Sequence, residues 1–292
     1  MMSDINEQLK FKPQIINLKN LNFDNVVIGG MGGSALPARA MFYLDPVYPL
    51  WLHSDYGLPK KVEGKTLFVA VSYSGDTTET ISFAKEAYEK EFPLAIITSG
   101  GALKDFARSK DIPHALVPEG LQPRDALVYM LKSLLLILGK GELLEEIERV
   151  RVDSGDDEEI AGFISGGMPL IYSPTDSSAL AYVWKIYLNE SAKMPAFSNS
   201  FPELFHNELE SIDESCRIII FTDGTNMGAK ALLDMAEEKG WHAKAITLGA
   251  HKAENLIKNL ALARSAARKI AELKGVNPDK VSVIEEFKRR LK

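Results

Sequence analysis

The sequence predicts an α/β protein made of two doubly wound parallel-sheet domains followed by a C-terminal helix. Three observations predict it. Short apolar runs of strand length alternate with stretches of helical periodicity along almost the whole chain, the pattern of parallel sheets covered by crossover helices. The second half repeats the first in outline. Between the halves lies a charged stretch, Glu142 to Gly162, carrying Glu142, Glu145, Glu146, Glu148, Asp153, Asp156, Asp157, Glu158 and Glu159. It reads as a solvated helix and linker at a domain boundary. The expected divisions are an N-terminal segment 1–20, a first domain 21–145, a second domain 146–274 and a C-terminal helical segment 275–292.

In the first half, strands are expected near Asn25 to Gly29, Leu50 to Leu52, Thr66 to Val71, Leu94 to Thr98 and His114 to Val117. Each is a short apolar run bounded by polar or turn-forming residues. Helices follow most of them, starting near Leu36 and Thr77 and ending in a long amphipathic piece, Ala126 to Leu138. In the second half, Met168 to Tyr172 followed by Ser173 to Ser178 resembles Val26 to Ser34. Arg217 to Phe221 followed by Thr222-Asp223-Gly224-Thr225 resembles Leu67 to Thr77. The helix Ala179 to Ala192 places Leu180, Val183, Trp184, Tyr187 and Leu188 on one inward-facing stripe.

Two loops carry the chemistry of the first half. The run Ser72-Tyr73-Ser74-Gly75-Asp76-Thr77-Thr78 packs hydroxyls around one glycine between a strand and a helix. Unpaired N–H groups and the dipole at a helix start favour an anion there, and hydroxyls add donors without adding charge. One hydroxyl before a helix is an ordinary cap; four around a glycine point to a phosphate site. The second loop, Gly30-Met31-Gly32-Gly33-Ser34, follows the strand at Asn25 and lets the backbone approach a ligand closely. Neither loop is a nucleotide signature. Ala35 stands at the third glycine of the dinucleotide fingerprint, and Pro59 stands where a Walker A loop ending in Gly64-Lys65-Thr66 needs its first glycine. The second-half copy keeps fewer glycines and hydroxyls, so one phosphate site, in the first half, is expected.

With 292 residues, 46% of them hydrophobic and 25% charged, the chain has globular composition and room for two domains. Its net charge of −6, with no basic cluster longer than Lys288-Arg289-Arg290, argues against a nucleic-acid surface. The longest aliphatic run, Leu134 to Leu138, is too short to span a bilayer, and Met1 to Lys12 lacks a signal-peptide apolar region. No membrane partner and a cytoplasmic location are expected. Cys216 has no disulfide partner and reads as a packed core thiol; the five histidines show no metal-binding spacing.

Glu190, just beyond Tyr187 on the helix stripe, is placed to be a partly desolvated general base. A charged helix end explains it equally. His206, in Pro202-Glu203-Leu204-Phe205-His206-Asn207-Glu208, sits among carboxylates and reads either as an ion-paired surface residue or as a functional one.

Gly32-Gly33-Ser34, the Ser72 to Thr80 run, Gln122-Pro123-Arg124, Asn189-Glu190-Ser191-Ala192-Lys193 and Pro202 to Glu208 together resemble the phosphoglucose isomerase superfamily. Specifically they resemble the short bifunctional phosphoglucose/phosphomannose isomerases of archaea and some bacteria. The resemblance implies two sugar-isomerase (SIS) domains, a homodimer, and aldose–ketose isomerisation of glucose 6-phosphate and mannose 6-phosphate without metal or organic cofactor. It implies that Glu190 moves the proton between C2 and C1, that Arg124 stabilises the enediolate, and that His206, from the partner subunit, helps open the sugar ring. It implies that Lys288 assists ring opening from the other side and that Gly33, Ser34, Ser72, Ser74 and Thr77 hold the phosphate. Two departures bear on the acceptance of both C2 epimers. Val183 stands where relatives often carry Arg, and Val281, followed by Ser282, stands where some place a threonine.

Other SIS functions fit less of the sequence. Amide transfer needs a glutaminase domain that is absent from this sequence. A sugar-phosphate sensor needs the hydroxyl loop but not Glu190, Arg124, His206 and Lys288 together. An isomerase of another phosphosugar is the remaining alternative.

Overall fold

A computed structural model of the chain describes residues 5–18, 21–62, 64–152 and 157–290. Residues 1–4 of the N-terminal segment, Asp153 and Asp156 of the charged stretch, and residues 291–292 of the C-terminal segment lie outside the described residues. The chain forms two compact units, Met1–Val152 and Asp153–Lys292.

Unit 1 runs α1 (Ile5–Lys10), β1 (Ile15–Ile16), β2 (Asn25–Gly30), α2 (Leu36–Leu44), β3 (Leu50–His53), β4 (Thr66–Val71), α3 (Thr78–Glu89), β5 (Leu94–Thr98), α4 (Gly101–Ser109), β6 (His114–Leu116), α5 (Leu127–Ile137) and α6 (Gly141–Arg149). Its sheet has the order β1-β6-β5-β4-β2-β3 and is parallel except at β1, which pairs antiparallel with β6. The central strands are the most apolar, and every residue of β4 is buried. That suits a strand covered on both faces. Phe68 and Ala70 meet Phe83, Ala84 and Leu103 of α3 and α4 in one core layer, and α2 and α5 pack together beside the sheet. Because parallel strands all end at the same edge, β2, β4 and β5 deliver the loops after Gly30, Val71 and Thr98 to one place.

Two expectations change here. The stretch expected as an amphipathic helix from Ala126 to Leu138 opens as a 3₁₀ turn, Pro123–Ala126, and α5 is then buried on nearly every side, Lys132 and Ser133 included. α5 has that environment because it meets α1, α2, α6 and β5. Lys132 survives burial by donating to the carbonyls of Leu9 and Phe11 and pairing with Glu148 at 3.0 Å. The same bonds tie the N-terminal segment to the unit.

Unit 2 runs α7 (Asp157–Ser165), β7 (Met168–Pro174), α8 (Ser178–Glu190), β8 (Phe197–Phe201), β9 (Cys216–Thr222), α9 (Met227–Lys239), β10 (His242–Thr247), α10 (Lys252–Leu273) and α11 (Ser282–Arg290). The sheet is fully parallel, in the order β10-β9-β7-β8. β8 and β10 are additions to the expected strands. β8 reads Phe-Ser-Asn-Ser-Phe and β10 is an exposed edge, so neither has an apolar run to announce it. One core layer joins Leu170, Tyr172, Ile218 and Ile220 with Leu204 and Leu232, and Cys216 is buried within it. α7 and α8 each pack against α10.

The charged stretch, expected as a solvated helix and linker, contributes to two helices and is not wholly solvated. It forms α6 and α7, and each buries an apolar side: Ile147 in one, Ile160, Ala161 and Ile164 in the other. The division between units falls beyond α6. No helix of the described residues is long and apolar enough to cross a membrane.

Candidate active site

The hydroxyl loop after β4 is built backbone to backbone with its neighbours. Gly75 has φ +75°, and a Cβ there would stand 1.8 Å from the carbonyl oxygen of Gly100, so only glycine fits. The Ser72 hydroxyl donates to Thr77 Oγ1 at 3.0 Å and accepts from the Gly75 amide at 3.2 Å. Ser74 accepts from the Asp76 amide at 3.3 Å and is exposed. Thr77 precedes α3 without its side chain capping the helix, a start at which orphan N–H groups suit an anion. Asp76 turns aside to accept from the Ala102 amide at 3.0 Å.

Ser34, from the glycine loop, joins this cluster: its hydroxyl accepts from the Tyr73 amide at 3.0 Å and keeps its own proton to donate. Gly33 abuts the 3₁₀ turn that carries Arg124. Unit 1 therefore brings together Gly33, Ser34, Ser72, Ser74, Thr77 and the backbone of Arg124. The Arg124 side chain is fully buried, with Nε 3.9 Å from the buried Asp125 carboxylate.

The matching turn after β9 holds its own anion. Asp223 Oδ1 accepts from the Thr225 amide at 2.8 Å and the Asn226 amide at 3.2 Å, while Asn226 caps α9 through the Ala229 amide. These bonds, led by the Thr225 amide, hold the Asp223 carboxyl below its ordinary range. The amides of this turn are thus engaged by a carboxylate of the turn itself.

In unit 2, Glu190 ends α8, half-buried, in the wall of a cleft of about 740 Å³. Lys193, Lys280, Val281 and Ser282 share that wall. Lys193 donates to the carbonyls of Glu190 and Lys280, clasping the end of α8 to the segment before α11. Lys288 lies farther along α11, on a helix exposed throughout, and is not among the residues lining the cleft.

His206 is exposed and lines a different recess, of about 620 Å³, with Asn207, Glu210 and Trp241. The structure does not bring it to the Glu190 cleft of unit 2. The two carboxylates beside it in sequence are engaged by asparagines. Glu203 accepts from Asn207 at 3.1 Å and Glu208 from Asn199 at 2.6 Å. Glu208 also faces Tyr172, whose phenol is pushed far up first by burial and then by that carboxylate.

The bacterial phospho-glucose isomerase C-terminal SIS domain family matches residues 154–291. A bifunctional phosphoglucose/phosphomannose isomerase of Thermoplasma volcanium is 31% identical over 307 residues, covering 97% of this chain and 100% of the relative. The chain belongs to the bifunctional phosphoglucose/phosphomannose isomerase family. A D-glucosamine-6-phosphate 4-epimerase of Sulfolobus acidocaldarius is 36% identical over 199 residues, 64% of this chain and 63% of the relative. Among solved structures, a hypothetical protein of Thermus thermophilus has a TM-score of 0.70 at 16% identity, covering 92% of this chain and 83% of the other; that likeness concerns the fold.

Within this family member, the position of Val281 gains a place. It stands in the Glu190 cleft with Ser282, while Val183 is buried in the body of α8. Sequence reasoning passed over Thr98 and Ser99, whose hydroxyls donate to the Gly100 and Tyr73 carbonyls at 2.9 and 2.7 Å beside the hydroxyl loop. The Thr98-Ser99-Gly100-Gly101 run after a buried strand was the available signal. Lys280 was a second omission, and nothing local marks it.

Proposed function

We propose that this chain interconverts glucose 6-phosphate and mannose 6-phosphate with fructose 6-phosphate, through a cis-enediolate. What carries the reading is full-length likeness to an isomerase of that name in a chain that keeps Glu190, half-buried, in the wall of a sugar-sized cleft. Ser34, Ser72, Ser74 and Thr77 hold the phosphate with Gly33 giving close backbone access. The ring opens with help from Lys288 and the partner's His206. Glu190 then takes the proton from C2, leaving an enediolate charged on O1; a proton passes from O2 to O1, and return of the Glu190 proton to C1 leaves C2 as the carbonyl. The proton and electron count closes with no external reductant. Arg124 places a fixed charge at the developing oxyanion, an arrangement worth about 3 kcal/mol per well-aimed donor.

The homodimer with a shared His206 is supported by its position in a recess apart from the Glu190 cleft. Val281 and Ser282 line the wall beside Glu190, where the departure from the threonine of some relatives bears on acceptance of the mannose epimer. A cytoplasmic location fits the metabolic chemistry of the named relatives. The likeness to a D-glucosamine-6-phosphate 4-epimerase over 64% of the chain favours one second reading, action at C4 of an amino sugar phosphate.

A coupled assay on purified protein, with chelator present, tests both. Fructose 6-phosphate formed from glucose 6-phosphate and from mannose 6-phosphate is expected. Turnover of glucosamine 6-phosphate alone would replace the reading with the second one, and binding without turnover of any of them would make the chain a sensor.

A further inference from the structure

Tyr73 sits between two of the phosphate-loop serines, yet it is 4% exposed and bonded to three other loops. Its amide donates to the Ser34 hydroxyl at 3.0 Å. Its carbonyl accepts from the Ser99 amide at 2.9 Å and the Ser99 hydroxyl at 2.7 Å. Its phenol donates to the Pro118 carbonyl at 2.8 Å and accepts from the Leu121 amide at 3.0 Å, spanning the turn that leads into Gln122-Pro123-Arg124. A buried hydroxyl satisfied as both donor and acceptor fixes the atoms on either side of it. Arg124 is only three residues beyond Leu121, and the Arg124 backbone is wedged against Gly33 on its other side.

We propose that Tyr73 is a positioning residue, its hydroxyl setting the 118–124 turn, and through it the Arg124 guanidinium, relative to the serines that flank Tyr73 in sequence. The consequence for Arg124 rests on the isomerase reading; the setting of the turn does not. One tripeptide thereby links the grip on the phosphate with the placement of the cation at the reacting end of the sugar. Burial, the leading influence, raises the phenol further above neutrality, so it remains a donor throughout the working range.

Tyr73→Phe removes the two hydroxyl bonds and leaves the backbone bonds to Ser34 and Ser99 in place. The Leu121 amide should then exchange with solvent at least about 10-fold faster while the Ser99 amide is unchanged. The kcat for fructose 6-phosphate should fall about 10- to 100-fold, with KM within about threefold, as expected when a catalytic group is misplaced without loss of ground-state binding. In an Arg124→Ala background the same change should cost less than about twofold, because the group it positions is gone. Unchanged Leu121 exchange overturns the proposal. So does a full, additive loss in the Arg124→Ala background, or a lowered Tm with unaltered kcat, which is the signature of a merely structural tyrosine. If the unaltered protein turns over no hexose phosphate, the isomerase reading falls, and Leu121 exchange alone still decides whether Tyr73 sets the turn.

Discussion

Gly33 and Arg124 meet backbone to backbone. A Cβ on Gly33 would stand 2.5 Å from the Arg124 amide nitrogen and 2.7 Å from the Pro123 carbonyl carbon. No flexible side chain is there to yield, so the glycine loop and the arginine turn are one rigid piece.

Gly33→Ala should therefore displace the 123–126 turn. We expect a stability loss of about 1–3 kcal/mol, the usual cost of overpacking, read by denaturant melts. The kcat loss should be larger than that of Gly32→Ala measured alongside it, since a Cβ at Gly32 meets nothing within 4 Å although its φ of +49° carries some strain. Equal effects at the two positions would argue against the close approach as the cause.

Ser74→Ala should mainly raise KM for fructose 6-phosphate. Ser74 is exposed, and the hydrogen bond its hydroxyl accepts from the Asp76 amide is a long one, 3.3 Å. Its removal takes away a phosphate contact common to ground and transition states, worth about 1 kcal/mol. Unchanged affinity for fructose 6-phosphate would remove Ser74 from the site.

Glu190→Gln should abolish isomerisation and the exchange of the C2 proton with solvent while leaving sugar-phosphate binding nearly intact. A positioned general base contributes about 10²-fold or more. Retention of more than about a tenth of kcat would assign the proton transfer to another group.

The placement of His206 and Glu190 in separate recesses makes a demand on mixed oligomers. Glu190→Gln and His206→Ala should each be inactive, yet co-refolded heterodimers should recover up to about half of full activity, one intact site of two. Heterodimers that form and stay inactive would place His206 within its own chain's site or outside the chemistry.

The Lys132–Glu148 pair should set part of the acid stability. Burial raises the Glu148 carboxyl, but hydrogen bonds from Lys12 and Lys132 outweigh that and hold it below its ordinary value. A carboxyl with a depressed folded pKa stabilises the fold above its unfolded value, about 4.3, and loses that contribution as the pH falls through the folded value. Glu148→Gln should cost about 2 kcal/mol at pH 7, because Lys132 stays fully buried without its counter-charge. The difference from the unaltered protein should shrink below about pH 4; a gap constant across pH 3 to 7 would mean the pair is not the cause.

The strands that build both sheet centres were legible in sequence because a strand covered on both faces needs a continuous apolar run, and β2, β4, β5, β7 and β9 all have one. The hydroxyl loop was legible for a similar reason: a turn between a buried strand and a helix start has local chemistry that four hydroxyls and a glycine express within a few residues. Glu190 could be placed at the end of its helix by periodicity alone. Strand order was not legible, and β8 and β10 gave no local sign, because a polar or edge strand is made by pairing with its neighbour and not by its own residues. Tertiary structure alone decided that Gly33 touches Arg124, that the Tyr73 hydroxyl spans Pro118 and Leu121, and that Lys280 to Ser282 wall the Glu190 cleft. Each joins residues far apart in the chain. Periodicity records which face a residue presents, whereas the partner it meets is chosen only when parallel strands gather their loops at one sheet edge and close packing fixes what lies beside what.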